Sequence, residues 1–169
     1  MMRARASRYF IGYYNFWILN FKLGVRREFS FLNLFMIEIS TDKSRLDVPF
    51  IQNFLKDIYW AAGRTMDEVQ TTIDASICFG LYLDGKQIGF ARVITDYVVF
   101  AYVMDVFVTP EHQGKGYSTK LIQAMMDEPK LAEVKIWRLS TRDAHFLYEK
   151  FGFTPLATPE RMMEKVIKR

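Results

Sequence analysis

The chain has 169 residues, half of them hydrophobic, a quarter charged and 16% aromatic, which excludes a disordered, collagen-like or low-complexity polymer and suits one domain with or without an extension. A single cysteine, Cys78, excludes an internal disulfide framework and a multi-cysteine metal site, and two histidines, His112 and His145, make a histidine-rich metal site unexpected. The net charge of +4 is localised: residues 1–35 carry +5 and residues 36–169 carry −1, so the basic isoelectric point is no argument for a nucleic-acid partner.

Residues 1–35 differ from the rest of the chain. Three arginines precede YFIGYYNFWILNF at residues 9–21, which is 13 uncharged residues against about 20 needed to cross a bilayer. The run resembles the early part of a signal peptide but lacks the small-x-small cleavage site. Residues 9–25 are the one stretch that suits an interfacial anchor. The simpler reading is a basic, aromatic-rich extension outside the fold or a mis-assigned start, with one domain spanning residues 36–169 and a cytoplasmic location.

In chain order, residues 36–40 read as a first strand. From Asp47, a plausible N-cap, apolar residues recur at Ile51, Phe54, Leu55, Ile58 and Tyr59, the stripe of an amphipathic helix that Gly63 ends. Thr65-Met66-Asp67-Glu68 has the form of a capping box for a second helix to about Ile73. Residues 77–83 and 87–95 read as strands joined by an Asp84-Gly85 hairpin turn, with Ile88, Phe90 and Ile94 on one face. Residues 98–108 add a third strand after a turn at Asp96-Tyr97, which completes an antiparallel meander. Cys78, within an apolar strand, reads as a core residue rather than a nucleophile.

After Pro110 come a glycine loop and a helix presenting Leu121, Ile122 and Met125, then a strand at residues 134–139. A helix at residues 143–150 has Gly152 as its C-cap, and the tail at residues 153–155 and 161–167 suits a last hairpin. The pattern predicts an α/β or α+β domain around one mixed, mostly antiparallel sheet flanked by helices.

The segment Val108-Thr109-Pro110-Glu111-His112-Gln113-Gly114-Lys115-Gly116-Tyr117-Ser118-Thr119 carries the chemistry. A strand runs into glycines that let backbone N–H groups approach a ligand, and the helix start adds unpaired donors and a positive dipole end. Together these suit a pyrophosphate, and Lys115 adds positive charge. The P-loop pattern is absent, and so is the third glycine of a dinucleotide fingerprint.

In context the chain resembles the GNAT superfamily of N-acetyltransferases. Gln113-Gly114-Lys115-Gly116-Tyr117-Ser118 is similar to their acetyl-CoA motif [Q/R]-x-x-G-x-[G/A], with Ser118 in place of the last small residue. Val108-Thr109-Pro110-Glu111 is the family's usual lead-in. Ala144-His145-Phe146-Leu147-Tyr148-Glu149-Lys150-Phe151-Gly152-Phe153 matches the signature A-x-x-x-Y-E-K-x-G-F. Thr141 stands where many relatives have an asparagine near the pantetheine arm.

The resemblance implies a GNAT-like fold and transfer of the acetyl group of acetyl-CoA to a primary amine by direct attack in a ternary complex. It implies that Val106, Phe107 and Val108 pair with pantetheine like an added strand, that residues 113–119 wrap the pyrophosphate, and that Tyr148 reprotonates the CoA thiolate. For the amine's base, the residues point to Asp105, a carboxylate on an apolar strand where desolvation would favour proton uptake. Alternation puts it on one face with Val103 and Phe107. Asp96, Asp143, His145 and a water chain are the other candidates. In this fold the region between the first two helices shapes the acceptor pocket, which points to Trp60 and Arg64. The acceptor is a small-molecule amine or a protein amine. No metal or nucleic acid is implied, membrane attachment is not expected, and homodimerisation is compatible with the reading. The alternative function is a non-catalytic acyl-CoA sensor on the same fold.

Overall fold

The computed structural model describes residues 36–167. The segment 1–35, with its candidate anchor at residues 9–25, lies outside them. Among the described residues no helix is long and apolar enough to cross a membrane.

The chain forms β1 (Ile37–Ser40), α1 (Val48–Leu55), α2 (Met66–Asp74), β2 (Ile77–Leu83), β3 (Lys86–Thr95), β4 (Phe100–Val108), α3 (Tyr117–Met126), β5 (Ile136–Arg138) and α4 (His145–Tyr148), with short 3-10 turns between. The five strands make one α+β sheet in the order β1-β2-β3-β4-β5. Its first three pairings are antiparallel and β4 pairs β5 in parallel.

Helix starts follow local chemistry. The Asp47 carboxylate accepts from the Phe50 N–H at 2.9 Å, with a proline in the first turn of α1. At α2 the capping box is complete: the Thr65 hydroxyl accepts from the Glu68 N–H at 3.2 Å and the Glu68 carboxylate accepts from the Thr65 N–H at 2.9 Å. Thr65→Ala should therefore cost about 1 kcal/mol of stability. Equilibrium denaturation reads this as a lower midpoint, and an unchanged midpoint would show that the box adds nothing. Helix α1 ends at Leu55, short of Gly63, although the apolar stripe continues. The Gly63 N–H returns to the Lys56 carbonyl at 3.2 Å and Ala61 is buried, so a closed loop replaces the last turns and leaves Tyr59 exposed.

The Asp84-Gly85 turn has φ of 50° and 81°, the two left-handed residues that a tight hairpin requires. Beyond it, two bulges overturn simple alternation. Leu81 pairs Gly89 while Tyr82 pairs Gln87, which leaves Ile88 extra on β3. Phe90 pairs Phe107 while Arg92 pairs Met104, which puts one extra residue on β4 between Met104 and Phe107. Each bulge flips the faces beyond it.

Ile88 therefore packs with Ala91, Val93, Val103, Val108 and the α3 residues Leu121, Ile122 and Met125. Phe90 and Phe107 pack on the other face, with Ile51 and Leu55 of α1 and Val69 and Ile73 of α2. Ile88 and Phe90 do not share a face, and neither do Val103 and Phe107, while Ile94 is exposed. Cys78 lies in the α1–α2 cluster, where burial pushes its thiol up to about 11, the setting of a core residue.

The C-terminal hairpin is also corrected. No strand forms among described residues 153–167; a 3-10 turn at Pro159–Arg161 stands there instead. Pro155 and Pro159 each lack the N–H that a ladder needs.

Candidate active site

Strands β4 and β5 share only three pairs, Phe100 with Ile136, Ala101 with Trp137 and Tyr102 with Arg138. Beyond Tyr102 the β5 side of β4 has no strand partner among the described residues. A cleft of about 390 Å³ opens beside this divergence, lined by Tyr102, Trp137, Arg138, Thr141, His145 and Tyr148 among others. At the end of β4 the side chains of residues 106–108 are committed to packing. Val106 and Val108 join the α3 cluster, and Phe107 stacks on Phe54 with ring centroids 3.8 Å apart. What residues 106–108 have left to offer a ligand is backbone.

The loop after β4 is held by its own side chains. Gln113 donates from Nε2 to the Val108 carbonyl at 2.9 Å, Lys115 donates from Nζ to the Glu111 carbonyl at 3.0 Å, and the Thr109 hydroxyl bonds His112 Nδ1 at 2.8 Å. Gly114 and Gly116 have φ of +74° and +77°, and a Cβ at either would meet nothing within 4 Å. Glycine is required there for backbone conformation, and the space above it is open. Gly116 is the N-cap of α3 and no side chain caps the helix. The N–H groups of Tyr117, Ser118 and Thr119 therefore lie in the uncapped first turn, at the positive end of the helix dipole.

Tyr148 is 8% exposed, and burial pushes its phenol up to about 12. Its ring meets Phe153 edge-on at 5.9 Å, and it lines the cleft. Thr141, which also lines the cleft, accepts from the Ala144 N–H at 3.1 Å and so shapes the start of α4.

Asp105 occupies the β4 bulge at φ 52°, a left-handed conformation that aspartate and asparagine tolerate better than most residues. The carboxylate is not isolated in an apolar setting. Oδ2 accepts from Arg92 Nε and from Arg64 Nη1, each at 2.6 Å, and its side chain is 1% exposed. Oδ1 is buried with no partner. Arg92 also donates to the Ser76 hydroxyl at 3.2 Å. Arg64 thus reaches from the α1–α2 loop onto β4 and spends a donor on Asp105. Trp60 remains exposed, packed edge-on against Tyr59 at 5.0 Å. The Arg142 guanidinium sits 4.2 Å over the Tyr59 ring, which joins the α1–α2 loop to the loop before α4.

The other base candidates fare differently. The Asp96 carboxylate accepts from the Val98, Val99 and Phe100 N–H groups, which hold it below the usual carboxylate range, and it closes the turn at the start of β4, away from the bulge. Asp143 is exposed beside Arg142. His145 is exposed but lines the cleft. Sequence reasoning missed Arg92 and Arg138. Their signal was an arginine inside an apolar strand, in Phe90-Ala91-Arg92-Val93 and Ile136-Trp137-Arg138-Leu139.

Residues 74–155 match the family model described as Acetyltransferase (GNAT) domain. A protein of Gibberella zeae, provisionally named an acetyltransferase, is 32% identical over 138 residues, which cover 68% of this chain and 77% of that protein. A crystal structure from Xanthomonas campestris pv. campestris, provisionally assigned as an acetyltransferase of the GNAT family, is 47% identical with a TM-score of 0.75. The match covers 78% of this chain and 94% of that one. A Clostridium acetobutylicum protein, provisionally named an acetyltransferase and solved with acetyl-CoA, shares the fold at a TM-score of 0.60 and 14% identity, over 78% of this chain and 96% of that one.

Proposed function

This chain belongs to the GNAT family of acetyltransferases and is an acyltransferase, and from that premise we propose that it moves the acetyl group of acetyl-CoA directly to a primary amine in a ternary complex. The observation that carries this reading is the uncapped α3 N-terminus behind two left-handed glycines at the end of β4. It is an anion cradle with open space above it, beside a strand with a free backbone edge. The backbone of residues 113–119 holds the pyrophosphate there, with Lys115 adding charge once it leaves the Glu111 carbonyl. The backbone of Val106, Phe107 and Val108 pairs with the pantetheine arm, and an N–H of this segment steadies the thioester oxygen as negative charge develops on it. Thr141 flanks the arm from the loop before α4. The bound cosubstrate found in the Clostridium acetobutylicum relative is compatible with this assignment.

Attack by the neutral amine forms the C–N bond, and the C–S bond then breaks. Tyr148 supplies a proton to the departing sulfur. A phenol held at about 12 keeps its proton across the neutral range, so the donor is always present. The amine's proton leaves to Asp105 Oδ1, directly or through a water. Oδ1 is the carboxylate oxygen that neither arginine bonds, since Arg64 and Arg92 both donate to Oδ2. Trp60, at the mouth of the same loop, contacts the acceptor.

Tyr148→Phe tests the reading. The ring stays, so packing and the KM for acetyl-CoA should change little, while kcat should fall about tenfold or more. Thiol release with the best amine measures both constants. Full turnover in this variant would return Tyr148 to the core and remove the acid from the mechanism.

A further inference from the structure

Three described arginines are wholly or partly buried: Arg64, Arg92 and Arg138. Arg64 and Arg92 share the Asp105 carboxylate. Arg138 has no carboxylate partner among the described residues, and its one polar contact there is between Nη1 and the sulfur of Met162, a weak acceptor. It stands on β5 opposite Tyr102 and lines the cleft that Tyr148 also lines. A guanidinium taken partly out of water without an anion is costly, and its planar fork suits a carboxylate or phosphate. Tyr102, which shares a face of the sheet with Arg138, lines the same cleft, and about 390 Å³ has room for a small molecule rather than a folded protein surface.

We propose that Arg138 binds the acceptor, and that the acceptor is a small primary amine carrying a carboxylate or phosphate. This rests on the acetyl-transfer reading and names the class of substrate for it. With the amine beside Tyr148, the fork of Arg138 takes the anionic end, and Tyr102 covers the apolar body between them.

The experiment is thiol release from acetyl-CoA by the full chain with matched acceptors: phenylalanine, phenylalaninamide and phenethylamine for the carboxylate, and phosphoethanolamine against ethanolamine for the phosphate. An anionic member should exceed its neutral counterpart in kcat/KM by about tenfold or more, since hydrogen bonds to charged groups are the strong ones. The series that shows the preference identifies the anion. Arg138→Gln should collapse that ratio toward one, mainly through the acceptor's KM, with the KM for acetyl-CoA unmoved. Arg138→Lys should restore only part of it, keeping charge but losing the fork.

Neutral amines matching their acids in the wild-type enzyme would overturn the proposal, and this arm decides even if the variants fold poorly. A rise in the KM for acetyl-CoA in Arg138→Gln would also overturn it, because the guanidinium would then serve the cosubstrate. Release with neutral amines alone leaves the acetyl-transfer reading standing and sinks only the acceptor class. No release from any amine sinks both.

Discussion

Asp105→Asn is expected to destabilise the protein by about 3–5 kcal/mol, the usual cost of removing one partner from a buried ion pair. The side chain keeps its shape, and asparagine tolerates the left-handed backbone at the bulge as well as aspartate does, so neither volume nor strain confounds the result. What is lost is the negative charge that Arg92 Nε and Arg64 Nη1 both approach at 2.6 Å. Arg92, 4% exposed in its side chain, cannot turn to water for compensation. Thermal or denaturant unfolding measures the loss, and a change below about 1 kcal/mol, the worth of an exposed pair, would show that the cluster is not integral to the fold. The same variant divides the two roles of Asp105. If Oδ1 takes the amine's proton, turnover falls most at low pH, where free amine is scarce, by about 10²–10⁴-fold. A profile lowered evenly, with its shape unchanged, would leave Asp105 as the residue that holds the bulge and pass the base role to water or His145.

Gly116→Asp is expected to abolish CoA binding. In the wild-type protein CoA should raise the melting temperature by mass action, about 2.7 kcal/mol of stabilisation at a hundredfold excess over Kd. An aspartate at Gly116 would stand its charge at the uncapped first turn of α3, where a phosphate is expected, and would also cap the helix with its own oxygen. Both effects compete with the ligand. The φ of +77° strains any other residue, so Gly116→Asn is the matched control: it has similar size and tolerance of this conformation, without the charge. The CoA-induced shift should vanish in the aspartate variant and survive in part in the asparagine one. Equal shifts in wild type and Gly116→Asp would remove the pyrophosphate from this loop.

Much of the fold was legible because it is local. Asp47 caps α1 from three residues away, Thr65 and Glu68 close their box across the same distance, and Asp84-Gly85 makes its turn from its own backbone preferences. Gly114 and Gly116 declare positive φ by being glycine before a helix. In each case the partners lie within a few residues, so composition and spacing carry the physics. The same holds for the stripe of Leu121, Ile122 and Met125, which α3 buries.

Tertiary structure alone decided which face each strand residue meets and which charges pair. A bulge shifts every later side chain to the opposite face, and whether one forms depends on the partner strand's register. That is why Phe90 parted from Ile88, and Phe107 from Val103. Asp105 is bonded by residues 13 and 41 positions away, and no local pattern announces a partner at such a distance. Arg138 was silent in the sequence for the complementary reason: its meaning lies in an acid that the fold does not bring to it. Most elements, the capped helix starts and the glycine loop before α3 were legible in the sequence, through short-range hydrogen bonds and periodic burial, whereas the end of α1 and the tail were not. Register, face and ion pairing came only with the sheet, because they are properties of two strands or two loops together.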